Sequence, residues 1–256
     1  MNPDKFAFAV AVVIFAAGAL GLVLHHILPQ KHVTGGAKDM VGAVVGLLTL
    51  LSALVLGLLI WTAYGVYAGQ NIAIETLAAK VLQLDLALSD YGPAANDARA
   101  KLRQGLGQSI DEIWGANESD ANFVAKNFAA AIHNLRDREA SLAALHPTTD
   151  AETQALAAAK ATVESIAQSR LQMSFALASP ISIPLIVIVG AWATILFFGY
   201  GLMSGGNTMS FVVVAVGALA VASAAFLILE LSSPYSGIFR ASSAPLEQVL
   251  AVLGKE

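Results

Sequence analysis

The chain offers few side chains suited to covalent chemistry. Cysteine is absent, which removes thiolate nucleophiles, disulfides and Cys-based metal sites. No HExxH pair, glycine-rich phosphate loop or serine nucleophile elbow occurs. No catalytic residue, metal site or cofactor is therefore assigned, and an enzyme is not expected. His25 and His26 adjoin each other, and His32 follows. Imidazoles bind metals and sense pH. Neighbours on a helix, however, point about 100° apart and do not chelate together, so two interfacial histidines are the simpler reading. The most distinctive run is Glu230-Leu231-Ser232-Ser233-Pro234-Tyr235-Ser236-Gly237, followed by Arg240 and by Pro245-Leu246. Glu230 and Arg240 are the only strong charges between Arg170 and Glu247. Opposite charges across a Pro234–Gly237 turn suggest an ion pair that folds the tail back on the preceding segment.

The elements that must hold these residues follow from composition. Hydrophobic residues make up 57% of the 256 residues and charged residues 12%, against about 45–50% and 25% in ordinary soluble proteins. Mean hydropathy is +0.69. A disordered chain, a basic nucleic-acid-binding protein and a typical soluble enzyme are excluded on these grounds, and a net charge of −4 points to no charged partner. Four segments lack Asp, Glu, Lys and Arg: Phe6–Leu28, Met40–Ala68, Ala176–Met203 and Met209–Leu229. Each is long enough to span a bilayer, which takes about 20 apolar residues. The first exceeds a signal-peptide core, which runs to about 7–15 residues, and reads as a true span. The expected fold is an all-α membrane protein of four transmembrane helices. Its divisions are spans one and two (1–68), a helical insert (69–175), spans three and four (176–231) and a tail (232–256).

The insert holds 13 of the 18 acidic and 9 of the 14 basic residues. Ile74, Leu77, Val81, Leu84 and Leu88 follow the alternating three- and four-residue spacing of a helix-packing seam. No breaker separates this stripe from span two, so one helix is expected from about Met40 to Asp90, ending at Gly92-Pro93. Further helices are expected over Ala94–Trp114, with Leu102, Leu106, Ile110 and Ile113 inward, and along Phe128, Ile132, Leu135, Leu142 and Leu145. A last one carries Leu156, Val163, Ile166 and Met173, opened by a capping box of Thr149 and Glu152. Pro180 and Pro184 imply a kink or interfacial turn at the start of span three, with an ion pathway as the alternative. Lys5, Lys80, Lys160, Arg170 and Arg240 outnumber Lys31 and Lys38 across the membrane. The positive-inside rule then puts both termini and the insert in the cytoplasm.

Small residues recur on span two. Gly42 and Gly46 form a GxxxG, and Ala53 and Gly57 extend the face; such residues let helices approach closely in lipid, within one subunit or between subunits. The tail run, together with the four-span layout and its helical insert, resembles the bacterial bestrophin-like domain family over nearly the whole chain. More distantly the chain is similar to bestrophins, which are homopentameric and usually anion-selective channels. Val55-Leu56-Gly57-Leu58-Leu59 resembles their apolar pore helix. The resemblance implies a homo-oligomeric ion channel of the inner membrane, whose partners are the bilayer, copies of itself, in a pentamer where it follows the bestrophins, and small inorganic ions, with no nucleic acid. The pore is then lined mainly by span two, through Gly46, Thr49, Ala53, Gly57, Ile60 and Tyr64. The gate or tail motif is Glu230, Pro234, Tyr235, Gly237 and Arg240. The acidic cluster of the bestrophin calcium clasp is missing after Gly237, so calcium gating is not implied. The alternative function is a non-conducting membrane sensor or scaffold whose insert binds a partner or ligand. A transporter would need polar groups at the bilayer midplane, and span two has only Thr49, Ser52 and Thr62.

Overall fold

A computed structural model describes residues 3–27, 36–115, 123–178, 183–204, 208–235 and 237–253. The described residues form eight α-helices and no strand: α1 (Pro3–Ile27), α2 (Gly36–Tyr91), α3 (Asn96–Gly115), α4 (Phe123–Ala143), α5 (Asp150–Ala178), α6 (Ile183–Met203), α7 (Thr208–Leu231) and α8 (Ala244–Val252). Four of them contain stretches long and apolar enough to cross a membrane: Pro3–His25, Asp39–Tyr91, Pro184–Met203 and Thr208–Leu231. The expected class of all-helical, four-span protein is therefore met. His32, Pro180 with its flanking serines, and Ser236 lie outside the described residues.

The chain divides into two compact units, one of Met1–Gly65 with Pro180–Ser232, the other of Val66–Ser179 with Ser233–Glu256. In the first, α1 packs against α6 and α7. Glycines make the α1–α6 crossing possible. A Cβ built on Gly21 would overlap the carbonyl oxygen of Phe198, and one on Gly201 would overlap that of Gly18. No hydrophobic drive brings helices together in lipid, so such backbone contact supplies packing energy that larger residues would forfeit. Ile14, Ala193 and Ala218 are buried around the same helices. At the far end of α1, His25 Nδ1–H donates to the carbonyl of Leu202, 2.8 Å away.

In the second unit the apolar seams close into one core. Ile74, Leu77, Val81, Leu84 and Leu88 of α2 meet Leu102, Leu106 and Ile110 of α3 and Leu156, Val163 and Ile166 of α5. Ile113, Leu135, Leu145 and Met173 are only partly buried against it. Ile132 does not point inward: it is 37% exposed, on a helix that packs against α5 and α3 along its other side. The α2 helix is continuous, as expected, and stops at Gly92, whose φ of +100° a residue with a Cβ would resist. Beyond that turn, Arg99 closes a bidentate pair on Asp85, with Nε–Oδ1 and Nη2–Oδ2 both 2.8 Å. The pair is largely buried, so removing one partner alone would cost about 3–5 kcal/mol. The capping box forms: Glu152 N–H donates to Thr149 Oγ1 at 3.1 Å and Thr149 N–H to Glu152 Oε2 at 3.3 Å. The Thr148 N–H also reaches that carboxylate, at 2.6 Å. This donor above all holds the Glu152 carboxyl below its usual range.

Candidate functional site

The α2 helix brings the six expected pathway residues onto one face. At about 100° per residue, Gly46, Thr49, Ala53, Gly57, Ile60 and Tyr64 fall within an arc of about 80°. Gly46, Ala53, Gly57 and Tyr64 are exposed within the single chain, whereas Thr49 and Ile60, at the edge of that arc, are half-buried. Beside this small-residue strip runs a bulky one containing Leu47, Leu50, Leu54, Leu58 and Trp61. Leu50 is 73% exposed and Trp61 72%. The opposite face of the span is turned inward at Val45, Ser52, Leu59 and Ala63. Most of the exposed face of α2 is thus uncharged and apolar.

The three polar side chains of the span do not cluster. Thr49 Oγ1 donates to the Val45 carbonyl at 2.8 Å and lies 2.9 Å from the Tyr200 hydroxyl. Thr62 Oγ1 donates to the carbonyl of Leu58 at 2.7 Å. The Ser52 hydroxyl is buried without a hydrogen-bond partner among the described residues. No shared polar site for a transported solute results. Cβ atoms built on Gly46 and Gly57 would meet nothing within 4 Å, while one on Gly42 would lie 3.3 Å from Met203 Cε. Among the described residues, none therefore packs where a side chain at Gly46 or Gly57 would project.

The tail motif is held by a network confined to the second unit. Pro234 and Tyr235 are buried. The Tyr235 hydroxyl donates to Gln70 Oε1 at 2.8 Å, and Gln70 Nε2 donates to the Met173 carbonyl at 3.2 Å. This ties the tail to α2 and α5. The Trp114 ring stands edge-on to Tyr235, with centroids 5.7 Å apart and planes at 81°. Trp114 Nε1–H donates to the Ala241 carbonyl at 2.8 Å. Gly237 takes a φ of +75°, and the turn closes through Ala241 N–H to the Pro234 carbonyl at 2.6 Å. Arg240 donates from Nε to the Tyr235 carbonyl at 3.1 Å and from Nη2 to the Trp114 carbonyl at 3.0 Å. Its guanidinium thus joins the turn, at the Tyr235 carbonyl, to the end of α3, at the Trp114 carbonyl, a role that residue type alone did not suggest. Glu230 lies in the last turn of α7, in the first unit, and is 3% exposed.

Sequence reasoning missed Gln70 and Trp114 as partners of the tail, and Gly18, Gly21 and Gly201 as the close-packed glycines. Gln70 carried a weak signal: with Asn71 it is the first amide after a long apolar run. Among the described residues no three His, Asp or Glu side chains come together as a metal site.

Four apolar helices, an α-helical insert continuous with the second of them, and a pinned Pro-Tyr tail define a helical membrane protein of bestrophin architecture. The family model of the Bestrophin-like domain matches residues 10–246, and the chain belongs to that family. Its fold is similar to crystal structures of a bacterial bestrophin homologue from Klebsiella pneumoniae. One, carrying a tryptophan-to-alanine mutation, has a TM-score of 0.69 at 11% identity, over 99% of this chain and 97% of the other. Another, solved by zinc anomalous phasing, has a TM-score of 0.66 at 13% identity, over 96% and 95%. A comparison with curated proteins finds no match.

Proposed function

We propose that the protein is a homo-oligomeric ion channel of the inner membrane, with its central pathway lined mainly by α2. The single observation that carries this reading is the exposed, uncharged face of α2 in a chain of the Bestrophin-like family. A monomer would leave Leu50, Leu54 and Trp61 to lipid and would have no use for a strip of Gly46, Ala53 and Gly57 beside them. In a ring of subunits the small residues allow close approach of neighbouring α2 helices around an axis, in the manner of a pentamer. An apolar constriction of this kind gates by dewetting rather than by a charged plug. The orientation that fits the lysine and arginine distribution puts both termini and the insert in the cytoplasm.

Purified protein in a planar bilayer should show single-channel currents carried by small inorganic ions. Absence of current above background, in several salts, would overturn the reading. For the family-like motif, we propose that the charges of Glu230, at the end of α7, and of Arg240, in the tail, both bear on gating, since they flank the Pro234–Gly237 turn in the sequence. Charge reversal at either residue should change conductance or lower stability, and exchanging the two should restore part of the loss. A double exchange no better than the worse single change would show that Arg240 acts only on the carbonyls of Tyr235 and Trp114.

A further inference from the structure

The insert contains an open cavity of about 490 Å³ bordered by α2, α3, α4 and α5. Its floor is apolar, with Leu84, Leu88, Leu142 and Val163, and its rim carries Gln104, Gln108, Asn134 and Arg138. The other charged groups on the rim are already matched. Lys101 Nζ pairs with Asp97 at 2.8 Å, and Asp137 pairs with His133 at 2.8 Å. Among the described residues Arg138 has no hydrogen-bond or ion-pair partner, although it is half-buried. Its electrostatic neighbour is a second half-buried guanidinium, Arg170, whose side chain makes no hydrogen bond among the described residues and which has Glu112 and the Tyr235 hydroxyl as its nearby acidic groups. Burial and the like charge of Arg170 push Arg138 down to about 10. An unpaired cation half out of water beside another cation is costly, and the fold retains it at the mouth of a cavity.

We propose that this cavity binds a small soluble organic anion, its phosphate or carboxylate head held by Arg138 and its apolar body against Leu84, Leu88, Leu142 and Val163. The guanidinium fork matches the two oxygens of either head group. The volume lies in the range of small-molecule sites, about 300–1,000 Å³, and exceeds what an inorganic ion alone would fill. Gln104, Gln108 and Asn134 add neutral donors that suit an oxyanion. The inference does not depend on the channel reading.

The test uses full-length protein in detergent and phenyl phosphate as the probe, with inorganic phosphate as the comparison. Phenyl phosphate should raise the unfolding temperature saturably and bind at least tenfold more tightly than inorganic phosphate. R138Q should weaken phenyl phosphate binding at least tenfold. The same substitution should leave the unliganded unfolding temperature unchanged or higher, because it removes an unpaired charge. No saturable binding, equal binding by R138Q, or a lower unliganded unfolding temperature for R138Q would each overturn the proposal. So would stabilisation seen only in nanodiscs containing phosphatidic acid and never with phenyl phosphate, which would make the ligand a lipid head group.

Discussion

One hydroxyl carries much of the tail's attachment. Tyr235 donates to Gln70 Oε1 in a buried setting, so Tyr235→Phe leaves that acceptor without its donor at almost constant volume. The expected loss is about 1–3 kcal/mol, the cost of a buried unsatisfied polar group. It should be accompanied by faster trypsin cleavage after Arg240, which is exposed but held by its two bonds to backbone carbonyls. Thermal unfolding and a proteolysis time course read the two effects. Unchanged values of both would show that the ring contact with Trp114, and not the hydroxyl, holds the tail. The contrast with Ser52 is instructive. Its hydroxyl is buried without a partner among the described residues, so burial of a polar group in this molecule does not by itself mark a site, whereas the hydroxyl of Tyr235 joins the tail to α2.

Among the helices, glycine position separates folding from assembly. Gly21 and Gly201 sit where any Cβ would meet the opposite backbone, and leucine at either should prevent α1 from packing on α6. Gly46 and Gly57 face open space within the chain. Leucine at both should therefore leave the monomer folded, with unchanged helix content by circular dichroism, while lowering the particle mass in detergent as α2 contacts between subunits are lost. An unchanged particle mass would place the subunit interface elsewhere. Both pairs consist of small residues on apolar helices; what differs is the neighbour, for α6 backbone lies across from Gly21 while no described atom lies within 4 Å of a Cβ at Gly46 or Gly57.

At the level of the whole molecule, the proposed orientation rests on which loops carry lysine and arginine. Spans one and two return the chain to the side it started from, and spans three and four do so again. The insert must then share a side with both termini, on the basis of four crossings. Protease added to right-side-out cells should spare the turn at Gly92-Pro93 and the chain around it, and should cut there once the membrane is opened. Cleavage in intact cells would invert the orientation.

Class, span number and the continuity of α2 into the insert were legible in the residues themselves. An uncharged run of 20 or more residues has one stable form in lipid, because only a helix satisfies its backbone there. The seam from Ile74 to Leu88 was equally legible, since its period sets one buried face whatever packs on it. The Thr149–Glu152 box could be read directly because both partners lie within one turn. What the tertiary structure alone decided are pairings across many residues: Tyr235 with Gln70, Arg99 with Asp85, Arg240 with the Trp114 carbonyl, and Gly21 with Phe198. Span composition is indifferent to which small residues are packed and which are bare. A glycine carries no side chain to signal its neighbour, and an arginine looks the same in sequence whether it will meet a carboxylate, a carbonyl or an empty cavity. Those outcomes depend on where the helices cross, and the crossing is set by the sum of contacts between elements far apart in the chain.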